Sequence, residues 1–338
     1  MGNIMNIVST TKNCYAKAPA VFEAAAAYGL DCRGIDEPEA DIAAGIREWS
    51  SRYAVVSVYP YVGEIYEAIP RGGVLARFGV GYDSIDLDKA TAAGIIVTNT
   101  PGVLSHAVAE FTTYLLLSIA NGEVFHGSSG QSFEWQPMLR PAELRAKTLV
   151  VAGCGAIGNR VARTAALGLR MNVVGVEVCD FDEEALKTQY GYSRIVKDFD
   201  EVAGSADYVT LHVPSTSSTR HFINASRLQA MKPGAWLVNT ARGPVVDEVA
   251  LYDALAAKTI AGAALDVYAA EPYVPAADGK DLRTLPNIIM TPHVGSATPE
   301  TCAAMAERAL QNVRLAMTES YEQMDIVNPA VLDEIGQG

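Results

Sequence analysis

The feature that most constrains the fold of this sequence is a set of glycines at the end of an apolar segment. Residues 149–158 read Leu-Val-Val-Ala-Gly-Cys-Gly-Ala-Ile-Gly, so Gly153, Gly155 and Gly158 have the spacing Gly-x-Gly-x-x-Gly, and a helical pattern follows. The first glycine permits a tight turn, the second lets the backbone approach a pyrophosphate, and the third lets helix and strand pack closely. The helix N-terminus also offers unpaired N–H groups and a positive dipole end. The segment therefore predicts a dinucleotide-binding turn.

An acidic residue stands at the distance from these glycines that a ribose-binding group requires. Glu177 ends the next predicted strand, 19 residues beyond Gly158. Its carboxylate can accept hydrogen bonds from ribose hydroxyls and would repel a 2′-phosphate. The following residues 178–180 supply no positive charge. We therefore predict NAD as the cofactor in preference to NADP, against the alternative of a structural glycine turn beside a surface glutamate.

Short apolar strands alternate with helical patterns along all 338 residues. This alternation predicts an α/β fold with doubly wound parallel sheets, and the length favours two domains. Strands are predicted at 5–9, 54–58, 74–78 and 95–99, and in a second series at 149–152, 172–176, 208–212, 236–239, 261–266 and 288–291. Helices are predicted at 105–120 and 299–317, with a connection over 122–141.

Charge and cysteine content exclude some partners and locations. The 39 acidic residues outnumber the 26 lysines and arginines, for a net charge of -13, which disfavours nucleic acids and anionic membranes. Five cysteines without a Cys-x-x-Cys pair suit a reducing compartment. The sequence begins without a signal-peptide pattern and has no apolar run long enough to span a bilayer. We expect a cytoplasmic protein with no metal site.

Three polar residues follow predicted strands of the second series. Arg242 comes after the strand at 236–239, while Glu271 and His293 follow the next two strands. Parallel strands end at one sheet edge, so these side chains could converge there. A protonated histidine can donate a proton to a ketone oxygen, a carboxylate can orient it, and an arginine can bind a carboxylate. Each residue alone is more often structural, and their ordered occurrence favours hydride-transfer chemistry.

These features together resemble the D-2-hydroxyacid dehydrogenase family, which includes phosphoglycerate dehydrogenases and glyoxylate or hydroxypyruvate reductases. The resemblance covers nearly the whole chain. Besides the glycine turn, its motifs are Arg77-Phe-Gly-Val-Gly-Tyr-Asp-Ser-Ile-Asp86, Asn99-Thr-Pro-Gly102, Val108-Ala-Glu-Phe-Thr112, His212-Val-Pro214, Asn239-Thr-Ala-Arg-Gly243, Leu265-Asp-Val-Tyr268, Glu271-Pro272 and Thr291-Pro-His-Val-Gly295.

The resemblance implies a role for particular residues. Arg242, Glu271 and His293 would be the catalytic set, with His293 as the acid and base. Gly79, Val80 and Gly81, with Arg242, would hold the substrate carboxylate. The residues implied to contact NAD are Val80, Thr112, Gly153, Gly155, Ala156, Ile157, Gly158, Glu177, His212, Val213, Pro214, Thr240, Ala241, Asp266, His293 and Gly295.

The resemblance also implies an arrangement of domains and an activity. Residues 1–101 and 297–338 would form a substrate-binding domain, residues 102–296 an NAD-binding Rossmann domain, and the active site a cleft between them. The expected protein is a homodimeric, NAD-dependent oxidoreductase of small 2-hydroxy and 2-keto acids. Two alternatives stay open: an NAD-sensing protein like the corepressors of this fold, and a formate or phosphite dehydrogenase. Formate enzymes usually carry Gln at the position of Glu271.

Overall fold

The computed structural model describes residues 5–122 and 141–336, which form two compact units. Unit 1 comprises Met1–Leu104 and Ala297–Gly338, and unit 2 comprises Ser105–Ser296. The connection predicted over 122–141 lies largely outside the described residues. Each unit is built on a parallel sheet, so the predicted fold class of two α/β domains is confirmed.

The first part of unit 1 is a regular alternation of strands and helices. Its elements are β1 (Asn6–Thr11), α1 (Lys12–Lys17), α2 (Pro19–Ala24), β2 (Leu30–Ile35), α3 (Glu39–Trp49), β3 (Tyr53–Val56), α4 (Glu64–Ala68), β4 (Val74–Arg77), α5 (Leu87–Ala92) and β5 (Ile96–Thr98). The five strands pair in the order β2-β1-β3-β4-β5, all parallel. Every residue of β3, β4 and β5 is buried, because helices cover both faces of the sheet.

Unit 2 begins with a long helix and continues as a larger sheet. Its elements are α6 (Ser105–Ala120), β6 (Thr148–Ala152), α7 (Ala156–Arg163), β7 (Asn172–Val176), α8 (Glu183–Tyr190), β8 (Tyr192–Val196), β9 (Tyr208–Leu211), α9 (Ala225–Ala230), β10 (Trp236–Asn239), α10 (Glu248–Ala256), β11 (Gly262–Leu265) and β12 (Ile288–Met290). The strands pair in the parallel order β12-β11-β10-β9-β6-β7-β8. Within the described ranges, no helix combines the length and apolar character needed to cross a bilayer.

Two strands, β2 and β8, were not predicted from the sequence, and both lie at sheet edges. The prediction of six strands in the second series was wrong, because β8 makes a seventh, and β2 was likewise missed in unit 1. Only the ends of β2 are buried, and in β8 only Tyr192 and Ile195 are buried. An edge strand that is partly exposed lacks the continuous apolar run that marks a central parallel strand.

The last part of the chain completes unit 1. The helix α11 (Pro299–Met317) packs against the sheet through Ala306, Ala309 and Val313, and the short α12 (Val331–Ile335) follows. Between them, the buried side chain of Asn328 binds the β5 segment. Its Oδ1 accepts from Val97 N at 2.8 Å, and its Nδ2 donates to Ile95 O at 2.9 Å. The amide therefore ties the C-terminal segment to the sheet.

We predict that Asn328→Ala destabilises the protein by roughly 2–4 kcal/mol, because it leaves the buried N–H of Val97 and the carbonyl of Ile95 without partners. Urea unfolding followed by circular dichroism measures the change. Asn172→Ala is the matched control, since that asparagine is exposed and its side chain bonds to Thr148 Oγ1 at 3.2 Å. The control should change stability by less than about 0.5 kcal/mol. Equal losses in both variants would contradict the prediction.

Candidate active site

The glycine turn lies where the strand order of unit 2 reverses. The chain runs from β6 outward through β7 and β8, then returns to place β9 on the other side of β6. Loops after β6 and β9 leave the sheet in opposite directions at such a point and open a crevice for a ligand. The glycine turn follows β6 directly, so it lines this crevice.

Two of the three glycines are required by close backbone contacts. Gly153 has a positive φ of 95°, and a Cβ there would lie 2.5 Å from the carbonyl oxygen of His212. A Cβ on Gly158 would lie 2.0 Å from the carbonyl oxygen of Gly153. No side chain fits at either position, because the obstructing atoms are backbone atoms. The first contact joins the end of β6 to the loop after β9, and the second joins the start of α7 to the end of β6.

Gly155 differs from its neighbours because it faces open space. A Cβ built there meets nothing within 4 Å, and Gly155 caps α7 without a side-chain hydrogen bond. The N–H groups of the first turn of α7, at Ala156 and Ile157, therefore lack a side-chain cap. This open helix N-terminus fits the pyrophosphate of a dinucleotide, which needs close backbone approach and N–H donors.

The carboxylate of Glu177 is held beside this turn. Glu177 follows β7, and its Oε2 accepts from Cys154 N at 2.9 Å while its Oε1 accepts from Cys179 N at 3.0 Å. Two backbone donors thus orient a half-buried carboxylate at the mouth of the turn. The position fits a group that accepts hydrogen bonds from ribose hydroxyls.

Lys197 brings a positive charge to the segment that follows Glu177. Lys197 follows β8, and its Nζ donates to the carbonyls of Val178 at 3.0 Å and Cys179 at 2.8 Å. It also lies 3.8 Å from the Asp180 carboxylate. Because β8 was not recognised as a strand, no sequence signal placed this lysine beside the end of β7.

Glu271 and His293 meet directly at the carboxyl edge of the same sheet. His293 Nδ1 lies 2.7 Å from Glu271 Oε2, and both side chains are about three-quarters buried, with 28% and 26% of the side chain exposed. The second carboxylate oxygen of Glu271 accepts from Tyr268 N at 3.0 Å. Because Nδ1 faces the carboxylate, Nε2 is the ring nitrogen that remains for a substrate.

The charge state of Glu271 follows from its contacts. Burial by itself raises the pKa of Glu271, but the hydrogen bond and charge of His293, the N–H of Tyr268 and the charge of Arg242 outweigh it. The pKa of Glu271 is therefore lowered, and the side chain is a carboxylate at neutral pH. An ionised carboxylate beside an imidazole stabilises the protonated ring and fixes its orientation.

The backbone around His293 is held by Asp266. His293 has a φ of 54°, in the left-handed region that non-glycine residues rarely adopt. The buried carboxylate of Asp266 accepts from Thr291 Oγ1 at 2.6 Å and from the N–H groups of Val294 and Gly295 at 2.9 and 2.8 Å. These three bonds bracket His293 and stabilise its unusual conformation.

Arg242 lies in the loop after β10, whose shape depends on Asn239. Asn239 Nδ2 donates to the carbonyl of Arg242 at 2.9 Å, and its Oδ1 accepts from Ala241 N at 3.0 Å. Arg242 Nη1 donates to the Ala241 carbonyl at 2.8 Å. The guanidinium is close enough to lower the pKa of Glu271. A cation, a carboxylate and an imidazole from three separate loops are therefore neighbours in unit 2.

The other predicted cofactor residues of unit 2 lie in the loops after β9 and β10 and in α6. Thr112 is fully buried, and its hydroxyl lies 2.8 Å from that of Thr240. Burial lowers the pKa of His212 to about 3, so this ring is neutral at physiological pH. The remaining positions are Val213 and Pro214 after β9 and Ala241 after β10.

The predicted substrate residues of unit 1 lie at the carboxyl end of β4. Gly79 has a φ of 136°, and a Cβ there would come within 2.8 Å of Arg77 Nη1. The carbonyl of Val80 accepts from Asn99 Nδ2 at 2.7 Å. The loop is therefore built on a glycine that cannot be replaced without displacing the buried Arg77.

Sequence reasoning also missed two residues that support the pair of Glu271 and His293. The hydroxyl of Tyr268 donates to the carbonyl of Thr291 at 2.8 Å, which links the loops after β11 and β12. Glu248 binds the N–H of Ala269. Tyr268 lies in the motif Leu265-Asp-Val-Tyr268, which could have indicated its role, whereas Glu248 looks in the sequence like an ordinary acidic residue at a helix start.

Across the described ranges, no three His, Cys, Asp or Glu side chains are grouped to bind a metal.

The chain is similar in sequence and in structure to known dehydrogenases and reductases. Residues 114–295 match the family model described as "D-isomer specific 2-hydroxyacid dehydrogenase, NAD binding domain". The glyoxylate reductase of Thermococcus litoralis is 37% identical over 80% of this chain and 81% of its own length. That of Pyrococcus furiosus is 40% identical over 80% of both. The crystal structure of D-lactate dehydrogenase from Aquifex aeolicus, complexed with NAD and lactic acid, has a TM-score of 0.82 at 29% identity, covering 95% of this chain and 99% of that one.

We predict that Glu177→Ala raises the KM for NADH by about tenfold and narrows the preference for NADH over NADPH, because a ribose acceptor is lost and Lys197 remains nearby. Steady-state kinetics with both cofactors measures the change. Glu201→Ala is the control, an exposed acid of unit 2 that makes no side-chain hydrogen bond in the described residues. A variant that keeps the wild-type NADH:NADPH ratio would remove Glu177 from the ribose site.

Proposed function

This chain belongs to the D-isomer specific 2-hydroxyacid dehydrogenase family, and on that basis we propose that it reduces small 2-keto acids to D-2-hydroxy acids with NADH. The observation that carries the proposal is the 2.7 Å contact between Glu271 and His293, beside Arg242 and on the same sheet edge as the glycine turn. Unit 2 is then the NAD-binding domain, and unit 1 the substrate-binding domain.

The protein's own part in this reaction is to deliver a proton. Nε2 of protonated His293 donates to the carbonyl oxygen at C2 of the keto acid and takes the proton back in the reverse direction. The carboxylate of Glu271 holds the ring by Nδ1 and stabilises its positive charge. The bond from Tyr268 N keeps that carboxylate in place.

Binding and orientation of the substrate are assigned to two groups. The guanidinium of Arg242 binds the substrate carboxylate through its planar fork and polarises the neighbouring carbonyl. In the loop after β4, the N–H of Gly79 donates to the carbonyl of Arg77 at 3.0 Å, so the N–H groups of Val80 and Gly81 are the further donors for the same carboxylate. The open N-terminus of α7 and the Glu177 carboxylate would hold the dinucleotide, which when bound would supply the hydride for C2.

We further propose that the protein acts in the cytoplasm as a homodimer. All five cysteines are free thiols in the structure, which suits a reducing compartment. The net charge of -13 disfavours binding to nucleic acids. Sedimentation equilibrium at micromolar concentration tests the dimer, and a monomeric mass would refute it.

A panel of 2-keto acids tests the activity directly. We expect NADH oxidation, followed at 340 nm (the nicotinamide absorbance), with at least one of glyoxylate, hydroxypyruvate, 3-phosphohydroxypyruvate and bulkier keto acids, at roughly 1–10³ turnovers per second. Oxidation of formate without reduction of any keto acid would contradict the proposal. Binding of NADH without turnover of any substrate would favour a nucleotide sensor.

We predict that His293→Ala lowers kcat by about 10²–10⁴-fold and leaves the Kd for NADH within about threefold, because only proton transfer is removed. Stopped-flow turnover and fluorescence titration with NADH measure the two quantities. His221→Ala is a close control: His221 also has a positive φ, 53°, and its Nδ1 lies 3.7 Å from the Asp247 carboxylate. Unchanged turnover in His293→Ala would show that another group donates the proton.

A further inference from the structure

A second carboxyl group is buried behind the loop that carries Glu271. Glu248 is the first residue of α10, and only 6% of its surface is exposed. Its Oε1 accepts from Ala269 N at 2.6 Å, while its Oε2 is buried without a hydrogen-bond partner among the described residues. A carboxyl group at a helix start is ordinarily solvated, so its burial here indicates a specific use.

Two consecutive backbone N–H groups in this loop point at two acidic side chains. The N–H of Tyr268 donates to Glu271, and the N–H of Ala269 donates to Glu248. Gly243 packs against the same peptide so closely that a Cβ there would lie 1.8 Å from the carbonyl carbon of Tyr268. The peptide between Tyr268 and Ala269 is therefore held by contacts with both Gly243 and Glu248.

The charges that face Glu248 come from the Glu271 loop and from its own helix. Burial raises the pKa of Glu248, the Ala269 N–H lowers it, and the negative charge of Glu271 raises it again. Burial raises the pKa of Tyr268 and that of Tyr273, and the negative charge of Glu248 raises both further. Asp247, next to it in the chain, caps α10 and lies near His221.

We propose that Glu248 is a positioning residue for the reaction: its buried carboxylate holds the Glu271 loop at Ala269 and adds a negative charge close to Glu271, the residue that contacts His293. The inference rests on the proposed function, in which that pair moves the proton. Glu248 does not touch the substrate or the cofactor in this assignment.

Glu248 is linked to His293 through a series of hydrogen bonds in the Glu271 loop. Fixing the N–H of Ala269 also fixes the preceding peptide, whose N–H at Tyr268 orients Glu271 Oε1. The other oxygen of Glu271 is then directed at His293 Nδ1. Loss of the Glu248 carboxylate frees the loop, and a misplaced general acid costs rate far more than affinity.

Glu248→Ala tests the hold on the loop. We expect kcat to fall by about 10–10²-fold while the KM for NADH changes less than about threefold, because the glycine turn and Glu177 are untouched. Glu248→Gln keeps an oxygen that can accept from Ala269 N, so it should restore kcat to within about threefold of wild type. Thermal melts of both variants report whether they fold.

Glu248→Gln also tests the charge. Reduction requires protonated His293, and a nearby negative charge favours the cation. Removing that charge should therefore move the alkaline limb of the kcat profile for reduction to lower pH. A purely structural role for Glu248 would leave the limb in place.

Glu183 supplies the matched control. It is the first residue of α8 after the capping Asp182, as Glu248 is the first residue of α10 after Asp247. Its side chain is 43% exposed and pairs with Lys187 at 2.9 Å. Glu183→Ala and Glu183→Gln should keep the wild-type kcat, KM and pH profile.

Two results would overturn the inference: wild-type kcat in Glu248→Ala, or an alkaline limb in Glu248→Gln that coincides with wild type. If Glu248→Ala fails to fold, the pH profile of Glu248→Gln decides alone. Failure of the proposed function is distinct, because it is read from the wild-type protein: no keto acid would then be reduced, whatever residue stands at 248.

Discussion

The carboxylate of Asp266 accepts three hydrogen bonds from the segment that carries His293, and the geometry of the candidate site depends on them. These bonds hold the residues on both sides of His293 and so stabilise its positive φ. With them, the imidazole faces the Glu271 carboxylate at 2.7 Å. Asp266 is buried at the end of β11, so its bonds fix the segment that carries His293 to the core of the sheet.

A second constraint is the close approach of backbone segments at the sheet edge. Gly153 contacts the His212 peptide, Gly158 contacts Gly153, and Gly243 contacts the Tyr268 peptide, each at a distance that excludes a Cβ. Backbone therefore packs on backbone between the loops after β6 and β9, and between those after β10 and β11. Gly155 faces open space, so this sheet edge has room for a ligand at the N-terminus of α7.

Much of this arrangement could be predicted from the sequence, and the parts that could not share a cause. Most residues of the central strands are buried and form apolar runs, whereas β2 and β8 lie at sheet edges and alternate buried residues with exposed ones. Because β8 was not predicted, the position of Lys197 was not predicted either. This residue follows β8 and donates to the carbonyls of Val178 and Cys179, next to Glu177. Glu248 was missed because burial of a helix-start acid has no local signature.

The sequence by itself determined the fold class, the glycine turn, and the order in which an arginine, a glutamate and a histidine follow strands. Those properties depend on residue type and short-range spacing, both of which can be read from the sequence. Only the tertiary structure decided that His293 presents Nδ1 to Glu271, that Asp266 brackets it, and that Glu248 turns inward. Such contacts join residues 21 to 29 positions apart through the register of neighbouring parallel strands, and no local pattern encodes that register.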